Sequence, residues 1–259
     1  MWSAEFLAKA AVGRLHGAPA GARFTSVSID TRTLEPGALY VALRGANFDG
    51  HRFIDAAIAR GARGIVAAAP ITTVPDGVAV IEVSDTLLAL QMMGHAARRQ
   101  FAGSVIAITG SNGKTTTRQL TASVLREHFG DTAVLATEGN YNNHIGVPLT
   151  LLRLRPSHRV AVIEMGMNHF GELGLLSSLA QPDIAVITNA APAHLEGVGS
   201  LSGVACAKGE VFAGVARDEV ALQAIGGTER DGAHDAVAEL LLHFQRDVGT
   251  VDLECVVHL

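Results

Sequence analysis

The run SVIAITGSNGKTTT, Ser104 to Thr117, reads as a buried strand, a glycine loop and the start of a helix. Its first six residues are apolar up to a closing threonine, the pattern of a strand covered on both faces of a parallel sheet. Beyond the loop, Leu120, Val124 and Leu125 recur at helical spacing. Such a strand, loop and helix start form an anion cradle. Gly110 and Gly113 allow successive backbone N–H groups to turn inward, and the helix N-terminus adds its dipole. Lys114 brings a mobile positive charge to terminal phosphates, and the Thr115 hydroxyl is placed to ligate Mg²⁺. A full phosphate loop has a glycine six residues before its lysine, where this chain has Ile108. The loop is therefore the short form GxxGKTT, with a plain strand-to-helix turn and a solvated lysine as the structural alternative.

Two further runs repeat the design of the first strand: RVAVIE (Arg159–Glu164) and DIAVITN (Asp183–Asn189). All three read as central parallel strands that end on polar residues, and in open α/β sheets ligands sit outside those carboxyl ends. Upstream, strands are predicted near Phe24–Ile29, Ala38–Leu43, Gly64–Ala67 and Val78–Val83, with a helix over about His51–Arg60. Together they form a small α/β domain. Asp85 caps a helix whose Leu87, Leu90, Met93 and Ala97 share one face and which ends before Gly103, joining two domains. From Arg217 onward charges scatter, and only a helix near Ala233–Phe244 and a strand near Val251–Val257 are readable. The expected domains are 1–84, 85–216 and a diverged or aberrant tail, 217–259.

Composition closes off other classes. The 259 residues are 48% hydrophobic and 17% charged, which excludes disorder and gives enough chain for one large or two small domains. A net charge of −5 offers no basic field for a phosphodiester backbone, so no nucleic-acid partner is expected. Two cysteines, Cys206 and Cys255, give neither a disulfide framework nor zinc-ligand spacing. The N-terminal MWSAEFLAKAAVGRLHG carries Glu5 and Lys9 inside its apolar stretch, and longer apolar runs elsewhere are broken by Pro or Asp. Neither a signal peptide nor a membrane span is expected, and a reducing cytoplasm fits best.

With these residues in view, the chain resembles the ATP-dependent Mur ligases of peptidoglycan synthesis, which carry a short TGxxGKT(T/S) loop. Four stretches hold the likeness: Ser28–Ile54 (SIDTRTLEPGALYVALRGANFDGHRFI), Ile108–Thr117, Gly139–Leu152 (GNYNNHIGVPLTLL), and the series VIEMGMNHFGEL, NAAPAHLEGVGS and AKGEVF between Val162 and Phe212. The resemblance covers roughly Phe24 to Gly214. It implies a small N-terminal uridine-binding α/β domain, then a P-loop parallel-sheet ATPase domain that is incomplete here. The third and fourth stretches favour the branch that adds D-Ala-D-Ala to a UDP-N-acetylmuramoyl-tripeptide through an acyl phosphate. A remnant that only binds nucleotide or UDP-precursor, or a sister ligase with another acceptor, are the alternatives. A monomer is expected.

The same resemblance assigns residues. ATP would lie against Thr109, Gly110, Ser111, Asn112, Gly113, Lys114, Thr115 and Thr116. Glu164 ends a buried strand at the ligand edge, where a carboxylate without a cation is costly to desolvate; the family places Mg²⁺ there, and a salt bridge is the plain alternative. His194 matches a histidine that helps hold a second Mg²⁺. Lys208 matches a lysine that is carbamoylated by CO₂ and then reaches the metal as a carboxylate, a reaction that needs a neutral amine in a buried setting; read alone it is a surface helix lysine, and Glu210 an ion-pair partner. Lys114, Glu164, His194 and Lys208 are the expected catalytic set. The UDP-precursor would be read by Ser28, Asp30, Thr31, Arg32, Arg44, Asn47 and Asp49, with Asn140, Asn142 and Asn143 near the muramoyl group. Turn roles are the alternative for each of these side chains.

Overall fold

The computed structural model describes residues 1–45, 48–68, 71, 76–192, 195–215 and 220–223, with backbone alone for 195 and 220–223. Asn47, His194, the helix expected near Ala233–Phe244 and the strand expected near Val251–Val257 lie outside the described residues. The chain divides into two compact units, 1–100 with 151–155, and 101–150 with 156–259.

In unit 1 the strands are β1 (Trp2–Ser3), β2 (Arg14–His16), β3 (Arg23–Phe24), β4 (Val27–Ser28), β5 (Leu39–Val41), β6 (Gly64–Ala67) and β7 (Ala79–Glu82). The helices are α1 (Ala4–Ala10), α2 (Ile54–Ala59) and α3 (Thr86–Gln100). One sheet has the order β2-β7-β6-β5-β4, parallel from β7 to β4 with β2 antiparallel at the edge. The expected strand Phe24–Ile29 is two strands: β3 pairs antiparallel with β1, and β4 parallel with β5. The chain changes partner at Thr25, whose N–H and hydroxyl donate to Gly37 O and Pro36 O. The expected helix over His51–Arg60 is also divided, because Asp49 caps a 3-10 turn, Gly50–Phe53, before α2 begins. Tyr40, Ile65, Ala42 and Ala57 form the core beneath it.

Asp85 does cap α3, accepting from the amides of Leu87 and Leu88. Leu90, Met93 and Ala97 are buried, and α3 groups with unit 1, where it packs on α1. The sequence reading divides the chain at 84/85, before this helix.

Unit 2 contains β8 (Ser104–Thr109), α4 (Lys114–Phe129), β9 (Val134–Ala136), α5 (Gly146–Leu151), β10 (Val160–Glu164), α6 (Glu172–Ala180), β11 (Ile184–Ile187), α7 (Leu195–Val198), α8 (Leu201–Gly209) and β12 (Val220–Gln223). Its sheet is wholly parallel, in the order β12-β11-β8-β10-β9. The three strands read from apolar runs are its centre, with Ile106, Ile108, Val162 and Val186 in one core cluster. β12 comes from the segment set aside as tail and extends this sheet beside β11. From β8 the chain runs to the edge strand β9, returns to β10 beside β8, and then crosses to β11 on the other side. That reversal leaves a crevice at the carboxyl end of β8, the ligand position in open α/β sheets.

Among the described residues no helix is long and apolar enough to cross a membrane.

Candidate active site

Register brings the site together. Glu164 stands beside Ile108, and Ile187 beside Thr109, so the ends of β10, β8 and β11 meet at one edge. The phosphate loop leaves β8 there. Gly110 has φ +153°, and a Cβ on it would lie 1.9 Å from the Thr188 hydroxyl oxygen. Gly113 has φ +77° and caps α4, which opens at Lys114. Both glycines are therefore required by backbone conformation, and Gly110 by contact as well.

The loop is fixed before any ligand arrives. The Asn112 amide donates to Asn189 Oδ1 at 2.9 Å, and the Thr188 hydroxyl donates to Asn112 O at 2.6 Å. The Ser111 hydroxyl donates to Ala191 O at 2.7 Å. These ties run to the segment after β11, and they leave the first amides of α4, at Lys114, Thr115 and Thr116, aimed out of the helix end where an anion binds. Thr109 closes β8 with a buried hydroxyl that has no hydrogen-bond partner.

Lys114 is folded back on its own loop, with Nζ donating to Gly110 O at 2.8 Å and Ser111 O at 3.2 Å. Burial lowers its pKa, and the Glu164 carboxylate opposes that shift. Glu164 is itself only 2% exposed. Its Oε2 accepts from the Thr115 hydroxyl at 3.1 Å and its Oε1 from Asn142 Nδ2 at 2.9 Å. The salt-bridge alternative is also realised, for Arg118 Nε lies 3.5 Å from Oε2. The start of α4 and the loop after β9 thus meet at the carboxylate that ends β10. A hydroxyl and a carboxylate are hard oxygen donors, the set that suits Mg²⁺ when phosphates and water complete the shell. No cluster of three or more His, Cys, Asp or Glu groups occurs among the described residues.

Lys208 lies on α8 and is 2% exposed, not a surface lysine. Burial first, and the charge of Lys114 second, lower its pKa to about 8. Both effects shift the amine toward its neutral form. Glu210 is not an ion-pair partner: its carboxylate accepts from the Gly171 amide at 2.8 Å and the Gly174 amide at 3.3 Å. It caps α6, whose N-terminus supplies the positive end that a basic side chain would otherwise provide.

The asparagines divide. Asn142 reaches Glu164, whereas Asn143 Oδ1 accepts from the Ile145 and Gly146 amides and so starts α5, the turn role. Asn140 accepts the Asn142 amide through its carbonyl. Asn142 and Asn143 line a cleft of about 400 Å³ with Lys114, Asn168 and Glu172.

In unit 1, the predicted UDP-reading residues follow β4 and β5, which end at the same sheet edge. Asp30 forks onto Arg32, with Nη2 to Oδ2 at 2.6 Å, and this partner holds the carboxyl at about 2. Ser28 Oγ donates to Asp30 O, and Thr31 follows in the turn. Arg44 pairs with Asp49 at 3.2 Å. Asp49 has a structural task too, because its Oδ1 accepts from His51 N and contacts His51 Nδ1 at 2.7 Å, while His51 Nε2 accepts the Ala68 amide.

Arg118 and Thr137 escaped the sequence reading. The available signal was spacing: Arg118 is four residues after Lys114, on the same face of α4.

Residues 108–231 match the Mur ligase middle domain, and residues 23–99 match the Mur ligase family catalytic domain. The chain belongs to the Mur ligase family. Among its Mur ligase relatives is the UDP-N-acetylmuramoyl-tripeptide--D-alanyl-D-alanine ligase of Escherichia coli (strain K12), 46% identical over 210 residues, which are 80% of this chain and 45% of that protein. A crystal structure of MurF from Acinetobacter baumannii superposes with a TM-score of 0.78 at 35% identity, covering 90% of this chain and 52% of that one. MurF ligase from Thermotoga maritima in complex with ADP gives 0.66 at 30% identity, over 76% of this chain and 45% of that one. This Mur ligase chain therefore spans about half the length of these relatives.

Proposed function

We propose that this protein uses ATP to activate the terminal carboxylate of UDP-N-acetylmuramoyl-tripeptide and joins it to D-Ala-D-Ala in the cytoplasm. One observation carries the reading: Thr115, on the phosphate loop, and Glu164, at the end of the neighbouring strand, place two oxygen donors together beside Lys114. The names of the relatives supply the substrates.

In the first step a carboxylate oxygen attacks the γ-phosphorus of ATP, the bond to the bridging oxygen breaks and ADP leaves, so two anions must approach. The amides of Lys114, Thr115 and Thr116 would hold phosphate oxygens, and the Lys114 ammonium would leave Gly110 O and Ser111 O to follow the charge that develops on the transferring group. Thr115 and Glu164 would hold Mg²⁺, with Lys208, as a carbamate, extending the set and His194 assigned by resemblance. When bound, Mg²⁺ screens the phosphates and stabilises charge on the transferring group. Asn142 keeps the Glu164 carboxylate aimed at the loop. The resulting acyl phosphate takes the amine of D-Ala-D-Ala at carbon, and phosphate leaves with its oxygen. In unit 1, Arg44 and Arg32 offer forked donors to a pyrophosphate, and Ser28, Asp30 and Thr31 offer polar edges to uracil and ribose.

In a second reading the same site holds nucleotide and UDP-precursor without joining anything. Incubating the 259-residue chain with ATP, Mg²⁺, UDP-muramoyl tripeptide and D-Ala-D-Ala, followed by mass spectrometry, separates the two. Pentapeptide product supports ligation. Precursor-dependent phosphate release without product supports the second reading, and no response to the precursor sinks both.

A further inference from the structure

Arg118 sits deeper than a helix arginine should, at 6% exposed, beside a carboxylate that is 2% exposed. Its place is set by Thr137, which follows β9 and is itself buried. The Thr137 carbonyl accepts from Arg118 Nη1, while the Thr137 hydroxyl accepts the Glu164 amide at 2.9 Å. One residue thus braces both members of the pair. The guanidinium is held with Nε 3.5 Å from Glu164 Oε2, and that Nε makes no hydrogen bond. It is near enough to neutralise the carboxylate through a poorly screening interior, yet it leaves the lone pairs of Oε2 to the Thr115 hydroxyl and to whatever arrives beside it. Anchored on Thr137, it is not free to swing away.

We propose that Arg118 is the resident counter-cation of Glu164, a positioning residue that prevents the site from holding a divalent cation until nucleotide phosphates are present. The inference rests on the metal reading of Glu164 given above. Without phosphates, an incoming dication meets one carboxylate whose charge is already matched and a fixed positive group behind it. Phosphate oxygens at the loop add negative charge on the open side, and the balance reverses. Metal binding then depends on nucleotide, so the loop does not fill with free metal in an unproductive arrangement.

The test is Mn²⁺ binding by electron paramagnetic resonance to the full chain, with and without ADP. Arg118→Met should bind Mn²⁺ alone roughly tenfold more tightly than wild type, and with saturating ADP the two should agree within about threefold. Without metal, Arg118→Met should melt at least about 5 °C lower, and Mg²⁺ alone should restore more of its stability than it adds to wild type. Arg118→Lys should stay near wild type in both measurements. Adding Glu164→Gln to Arg118→Met should recover the melting temperature and remove Mn²⁺ binding, which keeps the test open if the single variant does not fold. A loss of stability in Arg118→Met that is equal with and without Mg²⁺, with unchanged Mn²⁺ affinity, overturns the inference, as does a misfolded variant that Glu164→Gln fails to rescue. If Glu164→Gln alone leaves Mn²⁺ binding in the presence of ADP intact, the metal reading itself fails.

Discussion

The Thr115 hydroxyl donates to Glu164 Oε2 at 3.1 Å, although 49 residues separate the two in the chain. The contact exists because β8 and β10 are parallel neighbours, so a loop leaving one and a carboxylate ending the other meet at the same edge. Parallel pairing is what turns two distant phrases into one donor set.

Glu164→Gln tests that donor set. The amide keeps the shape and can still accept from Thr115, but it offers no charge to a dication. ADP affinity should therefore lose most of its dependence on Mg²⁺, by roughly tenfold or more, and the melting temperature should fall by about 5 °C or more because Arg118 loses its buried counter-charge. Calorimetric titration of ADP with and without Mg²⁺ reads this directly. Matching Mg²⁺ dependence in the two proteins would remove Glu164 from the metal site.

Lys114→Met should fold, because among the described residues its ammonium hydrogen-bonds to carbonyls of its own loop, Gly110 O and Ser111 O. Nucleotide affinity should fall on the order of a hundredfold, since a charge-assisted contact to phosphate is lost from a partly desolvated site. An unchanged ADP dissociation constant at equal thermal stability would return the loop to a plain strand-to-helix turn.

Which parts of this molecule could be read in advance follows from how each is buried. The central strands announced themselves because both faces are covered, giving uninterrupted apolar runs such as VAVIE, Val160–Glu164. β9 and β12 are three and four residues long and have no such run to display. The phosphate loop was legible because its glycines are demanded by backbone geometry at specific positions. Arg118 was not, because an arginine on a helix reads as solvated until β9 is known to lead into Thr137 and β10 to end in Glu164 beside it. Lys208 shows the same limit: only its family likeness implied burial, and the fold supplies it.

Lys208 also gives a pH signature. Its pKa is lowered from 10.5 to about 8 by burial and then by the charge of Lys114. Below about 8 the amine is protonated in the folded and unfolded chain alike, and the cost of burying the ammonium is fully present. Between about 8 and 10.5 the unfolded chain binds the extra proton, so stability rises with pH across that window. Lys208→Met should consequently be more stable than wild type at pH 7, by at most on the order of 3 kcal/mol, with the advantage shrinking as pH climbs through the window. Urea melts at several pH values measure it. A parallel ¹³C spectrum under labelled CO₂ should show a carbamate resonance in wild type that Lys208→Met lacks. A stability difference independent of pH across that window would mean that burial leaves the lysine's pKa unchanged on folding.

Unit 1 separates recognition from structure within a single ion pair. Arg44 is exposed and, among the described residues, its side chain hydrogen-bonds to Asp49 at 3.2 Å, so this water-screened pair adds little to stability. Asp49 does more: it caps the Gly50–Phe53 turn and orients His51, which in turn accepts the Ala68 amide at the end of β6. Arg44→Ala should accordingly leave the melting temperature within about 2 °C and weaken UDP binding roughly tenfold, because a forked donor to pyrophosphate is gone. Asp49→Ala should do the reverse in emphasis, lowering the melting temperature by about 3–6 °C through loss of the cap and of the imidazole's partner. Its effect on UDP should be recovered by Asp49→Asn, whose side-chain oxygen can still accept from the His51 amide. Calorimetry with UDP, paired with thermal melts of the same samples, distinguishes the two roles. UDP affinity that Arg44→Ala leaves untouched would place the pyrophosphate elsewhere on this sheet edge, and the absence of UDP binding by the wild-type chain would defeat the precursor reading of unit 1.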